Sequence, residues 1–376
     1  MVNAGYNIRQ MAQAWLVLDL TNSSLKAGLV NAMPSIAVFT SLYGGAVLDR
    51  GDRRSVLIWA RVALTALILI SAVLVSTRVI EWWHLIIVGL GLSLAFTFHD
   101  PANQSFAMDV VGRDRLMNAV SLSTIIANVA GIAAPAVGGA LIALGISWAF
   151  WLLVGIYAVS FLSVLPVRVK TAHVVPTRSI IADMREGLKY AGRSPTIRWL
   201  LALSSCFMFM GVSAAIVPIF AKNVFDVGAV GYGYMATSQG AGSFAGAVLL
   251  TFAGEARRPG LLIFGNLIVS GAALVLLAVA PWYWLVFPAL FVLGMTQAIT
   301  FITLPTSLQR QSAPEMRGRI MGLFFMVVTL LQLGWLIGGA LNTVIGTRQT
   351  AMAAAAGTFA LTLVVFGRSK TLRQLV

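Results

Sequence analysis

Three side chains that can bind a charged group or exchange a proton lie within apolar stretches of this sequence. Arg9 lies in the first stretch, and the neighbouring His99 and Asp100 lie in a later one. A charge in apolar surroundings is costly, so it usually faces a cavity or a partner. A guanidinium there can bind an anionic or polar group, whereas histidine and aspartate can take up and release a proton. These residues predict binding and proton exchange inside the apolar part of the protein.

A dense cluster of charges, Asp49-Arg50-Gly51-Asp52-Arg53-Arg54, separates two long apolar stretches near the start of the chain. As a helix, about 20 residues at about 1.5 Å per residue cross the hydrocarbon core of a bilayer. Each flanking stretch is long enough for this. The cluster therefore predicts a short basic turn between two membrane-spanning helices.

The composition is that of a polytopic membrane protein. Hydrophobic residues make up 59% of the 376 residues and charged residues only 10%, whereas a soluble domain carries ~25% charged residues. A water-soluble fold of this composition would expose large apolar patches. Apolar stretches recur as far as the C-terminus, unlike a signal peptide followed by a soluble body.

Several classes of site and partner are disfavoured. The single cysteine, Cys206, excludes an internal disulfide and a cysteine-cluster metal site, and the three histidines are too scattered for a metal cage. No Gly-rich phosphate loop ending in Lys-Ser or Lys-Thr occurs, and no Ser/His/Asp or Cys/His set stands at one membrane depth. We expect no enzyme, no cofactor and no metal. The net charge of +14 lies in loops, which disfavours nucleic acid as a partner.

The apolar stretches predict an all-α membrane protein with twelve spans in two six-helix bundles. The polar, basic segment 168–196 divides the chain into an N-terminal bundle, 1–167, and a C-terminal bundle, 197–376. The predicted spans are 1–20, 27–48, 55–77, 83–107, 116–142, 147–167, 197–221, 230–252, 260–280, 283–307, 319–344 and 349–367.

The lysines and arginines set the orientation, because cytoplasmic loops carry an excess of them. With the Asp49–Arg54 turn on the cytoplasmic side, most of the 26 basic residues share that side. The opposite side then holds only Lys26, Arg78, Lys222 and Arg348, and Arg9 and Arg61 fall within spans. This asymmetry predicts an inner or plasma membrane protein whose linker 168–196 and C-terminus are cytoplasmic.

The two halves also share short segments at a nearly constant offset, which predicts an internal duplication. Two parallel six-helix repeats related by an axis along the membrane normal place a substrate site at their interface, near the bilayer midplane. The matched segments are Gly45–Leu48 with Gly246–Leu249 at offset 201, Pro101 with Pro305 and Met117 with Met321 at offset 204, and Gly138–Leu141 with Gly338–Leu341 at offset 200.

Five motifs spread along the chain carry a resemblance to a known family. They are Ala14–Leu18 followed by Leu20-Thr21, the Gly45…Asp49-Arg50…Arg53-Arg54 loop, Asp100-Pro101-Ala102, Gly131…Pro135…Gly138-Gly139, and Glu186–Tyr190. In these motifs the chain resembles the major facilitator superfamily of secondary transporters, and within it the drug-efflux and enterobactin-exporter branch. The resemblance covers essentially the whole chain.

Two features depart from the family pattern. The family loop usually has glycine before its last two basic residues, whereas Asp52 stands there and Gly51 comes one place earlier. An acidic residue at that place is common in this branch, so we interpret it as a variant. The chain also begins inside what the family would call span one. Either a cytoplasmic lead and half a helix are missing before Met1, or span one is short.

The resemblance implies a conformational latch at the Asp49–Arg54 turn. In the family, the equivalent of Asp49 meets the N-terminus of span eleven and stabilises the outward-facing state, and Gly45 lets two helix backbones approach. Arg50, Arg53 and Arg54 are the basic residues of the turn, and Arg53 or Arg54 could reach Asp109 at the end of span four. The alternative is that these charges only fix the topology.

The resemblance also implies that spans one, four, seven and ten line the cavity and that span five is kinked. Pro135 removes a helical hydrogen bond, and the glycines around it permit tight packing; exporters of the superfamily often show this pattern, although membrane helices tolerate Pro and Gly generally. The predicted cavity residues are Asn7, Arg9, Gln10, Gln13, Gln297 and Thr300, and the predicted span-five residues are Gly131, Pro135, Gly138 and Gly139.

Two of the predicted sites have alternative interpretations. Arg9 lies ~16 Å from the end of span one, where we expect it to bind an anionic or polar part of the substrate or to pair with Asp100. If the helix starts at Met1, Arg9 instead snorkels to the cytoplasmic surface. His99 and Asp100 are candidates for proton coupling, but Asp100 could equally accept a structural hydrogen bond or salt bridge near Arg50 or Arg53.

The linker contains apolar residues at helical spacing, Ile180, Ile181, Met184, Leu188 and Ala191. This pattern predicts an amphipathic helix at the cytoplasmic interface of the membrane. The alternative is a helix packed under the transporter halves.

These observations predict a monomeric, single-chain secondary transporter that exports small, partly apolar molecules by alternating access. The expected partners are a small-molecule substrate, a proton as coupling ion and the lipid bilayer. Alternatives are an importer of a small polar metabolite on the same fold, or a membrane receptor or scaffold without transport.

Overall fold

A computed structural model describes residues 2–33, 53–111, 126, 130–131, 133–134, 136–166, 180–253 and 258–373. Within these ranges the protein is helical and contains no β-strand. The chain divides into two compact units, Met1–Thr177 and Arg178–Val376.

The first unit contains six described helices. They are α1 (Val2–Thr21), α2 (Ser24–Ala32), α3 (Arg53–Ser76), α4 (Trp82–Val111), α5 (136–144) and α6 (Ile146–Leu162). Helix α3 packs against both α4 and α6, and α1 packs against α2 and α6.

The described helices of the second unit are α7 (Ile180–Arg193), α8 (Pro195–Ser204), α9 (Cys206–Ile219), α10 (Gly228–Ala253), α11 (Pro259–Val279), α12 (Tyr283–Gln311), α13 (Arg317–Val328), α14 (Leu330–Ile345), α15 (Thr347–Arg368) and α16 (Lys370–Arg373). Helix α7 packs against α13, and the longer helices pair as α10 with α12, α9 with α14 and α11 with α15. A π-helical turn, Phe220–Val224, extends α9.

Local sequence sets several helix ends. Ser23 and Ser194 each accept a hydrogen bond from the backbone N–H three residues later, as N-cap residues do. Pro195 and Pro259 occupy the first turn of α8 and α11, where a missing N–H costs nothing. Gly145 and Gly346 connect α5 to α6 and α14 to α15 at positive φ, 144° and 84°, which favours glycine.

Seven stretches of the described residues are long and apolar enough to cross a membrane. They coincide with seven of the twelve predicted spans, and the other five stay predictions. Of those five, 1–20 and 230–252 form α1 and α10, 147–167 forms the shorter apolar helix α6, and 27–48 and 116–142 lie largely outside the described residues. The seven are Arg54–Ser76, Trp82–Asp100, Pro195–Val224, Pro259–Val279, Tyr283–Gln311, Pro314–Ile345 and Thr347–Arg368.

Small residues bring the main helix pairs of the second unit into backbone contact. A Cβ added to Gly242 would fall on the carbonyl oxygen of Phe291, and one added to Gly294 would fall on that of Gln239. The pair α9–α14 is equally close, because a Cβ on Gly211 would meet the carbonyl of Leu331. Such contacts replace the hydrophobic driving force that helices lack in lipid.

Matched contacts within the two units support the predicted duplication. In the first unit a Cβ on Gly138 would lie 3.6 Å from Ile8 and 3.4 Å from Met11. In the second, a Cβ on the matched Gly338 would lie 3.0 Å from both Val212 and Ala215. Val212 and Ala215 follow Ile8 and Met11 by 204 residues, so α1 and α9 present the same positions to α5 and α14.

A second matched contact has its partners exchanged. In the first unit Tyr157 of α6 fills the space beside Gly5 of α1, where an added Cβ would lie 3.0 Å from the ring. In the second, Phe209 of α9 fills the space beside Gly357 of α15. The same gap between corresponding helices is therefore filled from opposite sides.

Candidate functional site

Arg9 lies inside the first unit with neutral partners. Its side chain is 8% exposed, and its Nη1 donates a 2.7 Å hydrogen bond to Oε1 of Gln13 one turn later. The guanidinium carbon lies 5.3 Å from the centre of the Tyr6 ring, a cation–π distance. Gln13 in turn donates to the carbonyl of Val30 in α2 at 3.4 Å. The guanidinium therefore lies in the core of the unit, beside an amide and an aromatic face.

His99 and Asp100 form a contact at the surface of this core. Nδ1 of His99 lies 3.0 Å from Oδ1 of Asp100, and the imidazole is buried whereas the carboxylate side chain is 64% exposed. The imidazole meets the Phe96 ring edge-on at 5.7 Å between ring centres. The arrangement links an interior imidazole to an exposed carboxylate, which is a suitable geometry for passing a proton.

Tyr157 is a third polar group of this region that the sequence did not single out. It is 2% exposed and packs its ring against Gly5. In the sequence of an apolar helix, this tyrosine resembles any other core aromatic residue. The internal repeat could have marked it, because a large side chain stands at Tyr157 where the matched position of the second half, 200 residues later, is Gly357.

Arg61 of α3 is a second buried arginine, and its sequence context predicts only that it lies within a span. Its guanidinium donates to the carbonyl of Ser160 in α6 and, at 3.2 Å, to Oγ of Ser163 in the turn that follows α6. It also donates to Oδ1 of Asn103 in α4 at 2.9 Å. Arg61 therefore ties three helices of the first unit together through uncharged partners.

The second unit holds a small cavity lined by polar groups from five helices. Nε2 of Gln239 donates to Oε1 of Gln297 at 3.3 Å, and both residues line the cavity. Its walls also include Ser213, Ser270 and Thr358, all uncharged, and it has room for about one water molecule. The predicted cavity residue Gln297 thus faces this small cavity.

Thr300 is placed differently from Gln297. It is 1% exposed, and its hydroxyl accepts a 2.8 Å hydrogen bond from Asn266 of α11 while donating to the carbonyl of Thr296. In this conformation it joins α11 to α12. Its role in a substrate cavity stays a prediction, as do those of Asn7 and Gln10, which are half-buried on α1.

The latch and the span-five kink are only partly within the described chain. Gly45, Asp49, Arg50 and Pro135 lie outside the described residues, and of Arg53 and Asp109 only the backbone is described. Arg54 donates a 2.8 Å hydrogen bond to the carbonyl of Leu165 in its own unit. Gly138 and Gly139 are buried, and Gly131 is half-buried. The latch and the kink stay predictions.

The linker segment forms α7, which lies against α13 of the second unit. Glu186 accepts a 2.8 Å salt bridge from Arg319, Gly187 packs on the Arg319 side chain, and Tyr190 accepts a hydrogen bond from the N–H of Ala313. Ala191 is buried, whereas Leu188 is 59% exposed. One face of α7 is therefore packed against protein and another is open.

Within the described ranges, no group of three or more His, Cys, Asp or Glu side chains is arranged to hold a metal ion. What the described polar groups can do is hydrogen-bond and hold charge inside apolar walls. This is the chemistry of a binding site for a small polar or amphipathic molecule.

Comparison with known proteins extends this interpretation. Residues 1–374 match the family model described as transmembrane secretion effector. The chain is 25% identical over 347 residues to the enterobactin exporter EntS of Shigella boydii serotype 18, which covers 89% of this chain and 80% of that protein. EntS of Escherichia coli O139:H28 matches with the same identity and coverage.

Two solved structures share the fold. A bacterial homologue of the human lysosomal transporter Spinster, in an inward-facing and unoccupied conformation, aligns over 99% of this chain and 96% of its own, with a TM-score of 0.71 and 14% identity. The nucleoside transporter NupG aligns over 98% of this chain and 99% of its own, with a TM-score of 0.71 and 14% identity. At this identity the likeness establishes a transporter fold and not a substrate.

Proposed function

Because this chain belongs to the transmembrane secretion effector family, in the enterobactin-exporter-like branch of the major facilitator superfamily, we propose that it exports small, partly apolar molecules by alternating access. Membership in this family makes it a transporter and not an enzyme, with a multi-pass location in the inner membrane. The observation that carries the proposed direction is the match to proteins named as exporters over most of the chain.

Proton coupling is the second part of the proposal. His99 and Asp100 are the described side chains that we assign to it, because their 3.0 Å contact joins a buried imidazole to an exposed carboxylate. A group that meets solvent on one side and the core on the other can change its protonation as the conformation changes.

Transport in inverted membrane vesicles tests direction and coupling together. In such vesicles the cytoplasmic face points outwards, so export appears as accumulation in the lumen. Enterobactin, the substrate named for the relatives, and ethidium, a fluorescent amphipathic dye, are the two cargoes to add. We expect accumulation of at least one of them that requires an acidic lumen and disappears when nigericin collapses the gradient. Accumulation that requires an alkaline lumen would reverse the proposed coupling, and vesicles indistinguishable from those without the protein would overturn export of these cargoes.

We also propose that Asp49 acts as the conformational latch implied by the family loop. Asp49→Asn removes the charge while keeping the side-chain shape, so the protein should insert normally but transport several-fold more slowly. At the C-terminal end of the predicted span two, a carboxylate is disfavoured by the helix dipole, so we expect Asp49 to have a stabilising partner. The measurement is the initial rate of cargo accumulation per inserted molecule.

The matched control for Asp49→Asn is Glu81→Gln, the same acid-to-amide change at a surface position between α3 and α4. We expect its transport rate to equal that of the parent protein. If Asp49→Asn inserts and transports at the parent rate, Asp49 does not form a latch.

A further inference from the structure

Four buried polar side-chain atoms of the first unit have no hydrogen-bond partner among the residues that the structure describes. One is Nε of Arg61, whose other guanidinium nitrogens bond to Ser160, Ser163 and Asn103. The other three are Nε of Arg9, Nε2 of His99 and the hydroxyl of Tyr157, in residues that are 8%, 3% and 2% exposed. A buried polar group without a partner is costly, and such groups in a membrane helix usually mark a functional site.

Arg9, His99 and Tyr157 belong to one connected cluster of residues in α1, α4 and α6. Gly5, one helical turn before Arg9, is the residue against which the Tyr157 ring packs. The Tyr6 ring, which lies under the Arg9 guanidinium, meets the Phe96 ring at 6.1 Å. Phe96 in turn meets His99, so an unbroken path of aromatic contacts joins the arginine to the imidazole.

The internal repeat shows which way the Arg9 position faces. Ile8 and Met11 correspond to Val212 and Ala215 by their matched contacts, so Arg9 corresponds to Ser213, also 204 residues later. Ser213 lines the cavity of the second unit. The same helix position therefore faces the polar interior of each unit, but only the first unit places a cation there.

We propose that Arg9, Tyr157 and His99 form a binding site for an anionic oxygen group, a carboxylate or a phenolate, of the transported molecule. The proposal rests on the transport function above and narrows its substrate class. Within this cluster, the N–H at Arg9 Nε and the Tyr157 hydroxyl are donors without a partner among the described residues, and a charge-assisted bond to an oxyanion is the strongest bond that they can make. His99 Nε2 supplies a third polar contact, since Nδ1 faces Asp100.

The aromatic walls of the cluster fit the rest of such a molecule. The Tyr6 ring lies beside Arg9, the Phe96 ring meets His99, and the Tyr157 ring packs on Gly5. This apolar surface beside the polar atoms would hold a partly apolar acid next to its charge. In the described conformation the three atoms are sealed from solvent. Alternating access would open and close this site in each cycle.

The test compares acids with neutral partners of the same shape. The purified full-length protein is titrated with 1-naphthoate, salicylate and indole-3-acetate, and with the methyl ester of each, and the shift of its thermal unfolding midpoint gives the affinity. We expect at least one acid to bind about tenfold more tightly than its ester, as for one charge-assisted hydrogen bond. Arg9→Ser, which installs the residue of the second unit, should abolish that preference by weakening acid binding about tenfold more than ester binding.

Two further variants keep the test decisive. Arg9→Lys keeps the charge but removes the Nε donor, so it should retain part of the preference even if Arg9→Ser folds poorly. Arg78→Asn removes one positive charge from the exposed turn after α3 and should leave the preference for acids intact, which controls for net charge.

Two results would overturn the anion site. One is that no acid in the panel is favoured over its ester. The other is that Arg9→Ser and Arg9→Lys both keep the full preference, in which case water or a structural partner satisfies the guanidinium. If vesicles transport ethidium but the purified protein prefers no acid over its ester, the proposed export stands and the anion site does not. If the purified protein binds acids selectively but vesicles transport neither cargo, the anion site stands and the export of these cargoes does not.

Discussion

Gly294→Val should prevent stable folding of the second unit. Gly294 lies where α12 crosses α10, and an added Cβ would lie 2.8 Å from the carbonyl carbon of Gln239 and 3.0 Å from the amide nitrogen of Ser243. Ordinary contacts of a Cβ begin at 3.4 Å, so the two helices would have to separate. Separation would break the 3.0 Å bond from Ser243 to the carbonyl of Gly294. We expect a cost of about 3 kcal/mol or more, the upper range for overpacking.

The measurement for Gly294→Val is the thermal unfolding midpoint of the protein purified in detergent, together with the fraction that elutes as a monodisperse peak. Gly265→Val is the matched control, since Gly265 lies within α11 but has no described atom within 4 Å of an added Cβ. Both variants introduce the same side chain into a membrane helix. A Gly294→Val protein with the midpoint of the control would show that α10 and α12 are not in backbone contact.

Exchanging Phe209 and Gly357 should restore a stability that each single change removes. Gly357→Phe places a second ring where a Cβ alone would lie 2.7 Å from Cζ of Phe209, and Phe209→Gly empties the same gap. Each should cost about 3 kcal/mol, by overpacking and by cavity formation respectively. The double variant fills the gap once, from α15, as Tyr157 of α6 does beside Gly5 in the first unit.

A double-mutant cycle on the unfolding midpoint measures this exchange, because residues in contact give non-additive effects. We expect the double variant to unfold well above both single variants. The pair Phe209→Gly with Gly265→Phe is the control, since Gly265 is not in contact with Phe209 and its substitution should give no recovery. Additive losses in the exchanged pair would contradict the correspondence of the two units.

The family and its general chemistry followed from local sequence features. Apolar stretches, the charge turn at Asp49–Arg54 and the small-residue motifs such as Gly138-Gly139 are contiguous in the chain, so they can be recognised without a fold. The resemblance that they predicted, to an exporter branch of the major facilitator superfamily, is confirmed by the family match. The seven long apolar stretches are likewise confirmed as helices.

The partners of individual polar side chains could not be derived in the same way. Arg9 was expected to bind substrate, to pair with Asp100 or to snorkel; its observed hydrogen-bond partner is Gln13 of its own helix. Thr300, predicted to face the cavity, is hydrogen-bonded to Asn266, whereas Gln297 lines the small cavity of the second unit. Gln297 and Thr300 lie on the same helix, α12, and only the rotation of α12 against α10 and α11 gives the two side chains different partners.

The sequence by itself determined that the chain is a helical membrane transporter of this family. Hydropathy and charge act residue by residue against lipid and water, and they require no knowledge of which helices meet. The tertiary structure alone decided that Tyr157, His99 and Arg9 share one core and that Gly5 and Gly357 exchange roles with their aromatic partners. Those relations depend on helix rotation and on the close approach of backbones, which packing between residues far apart in the chain establishes.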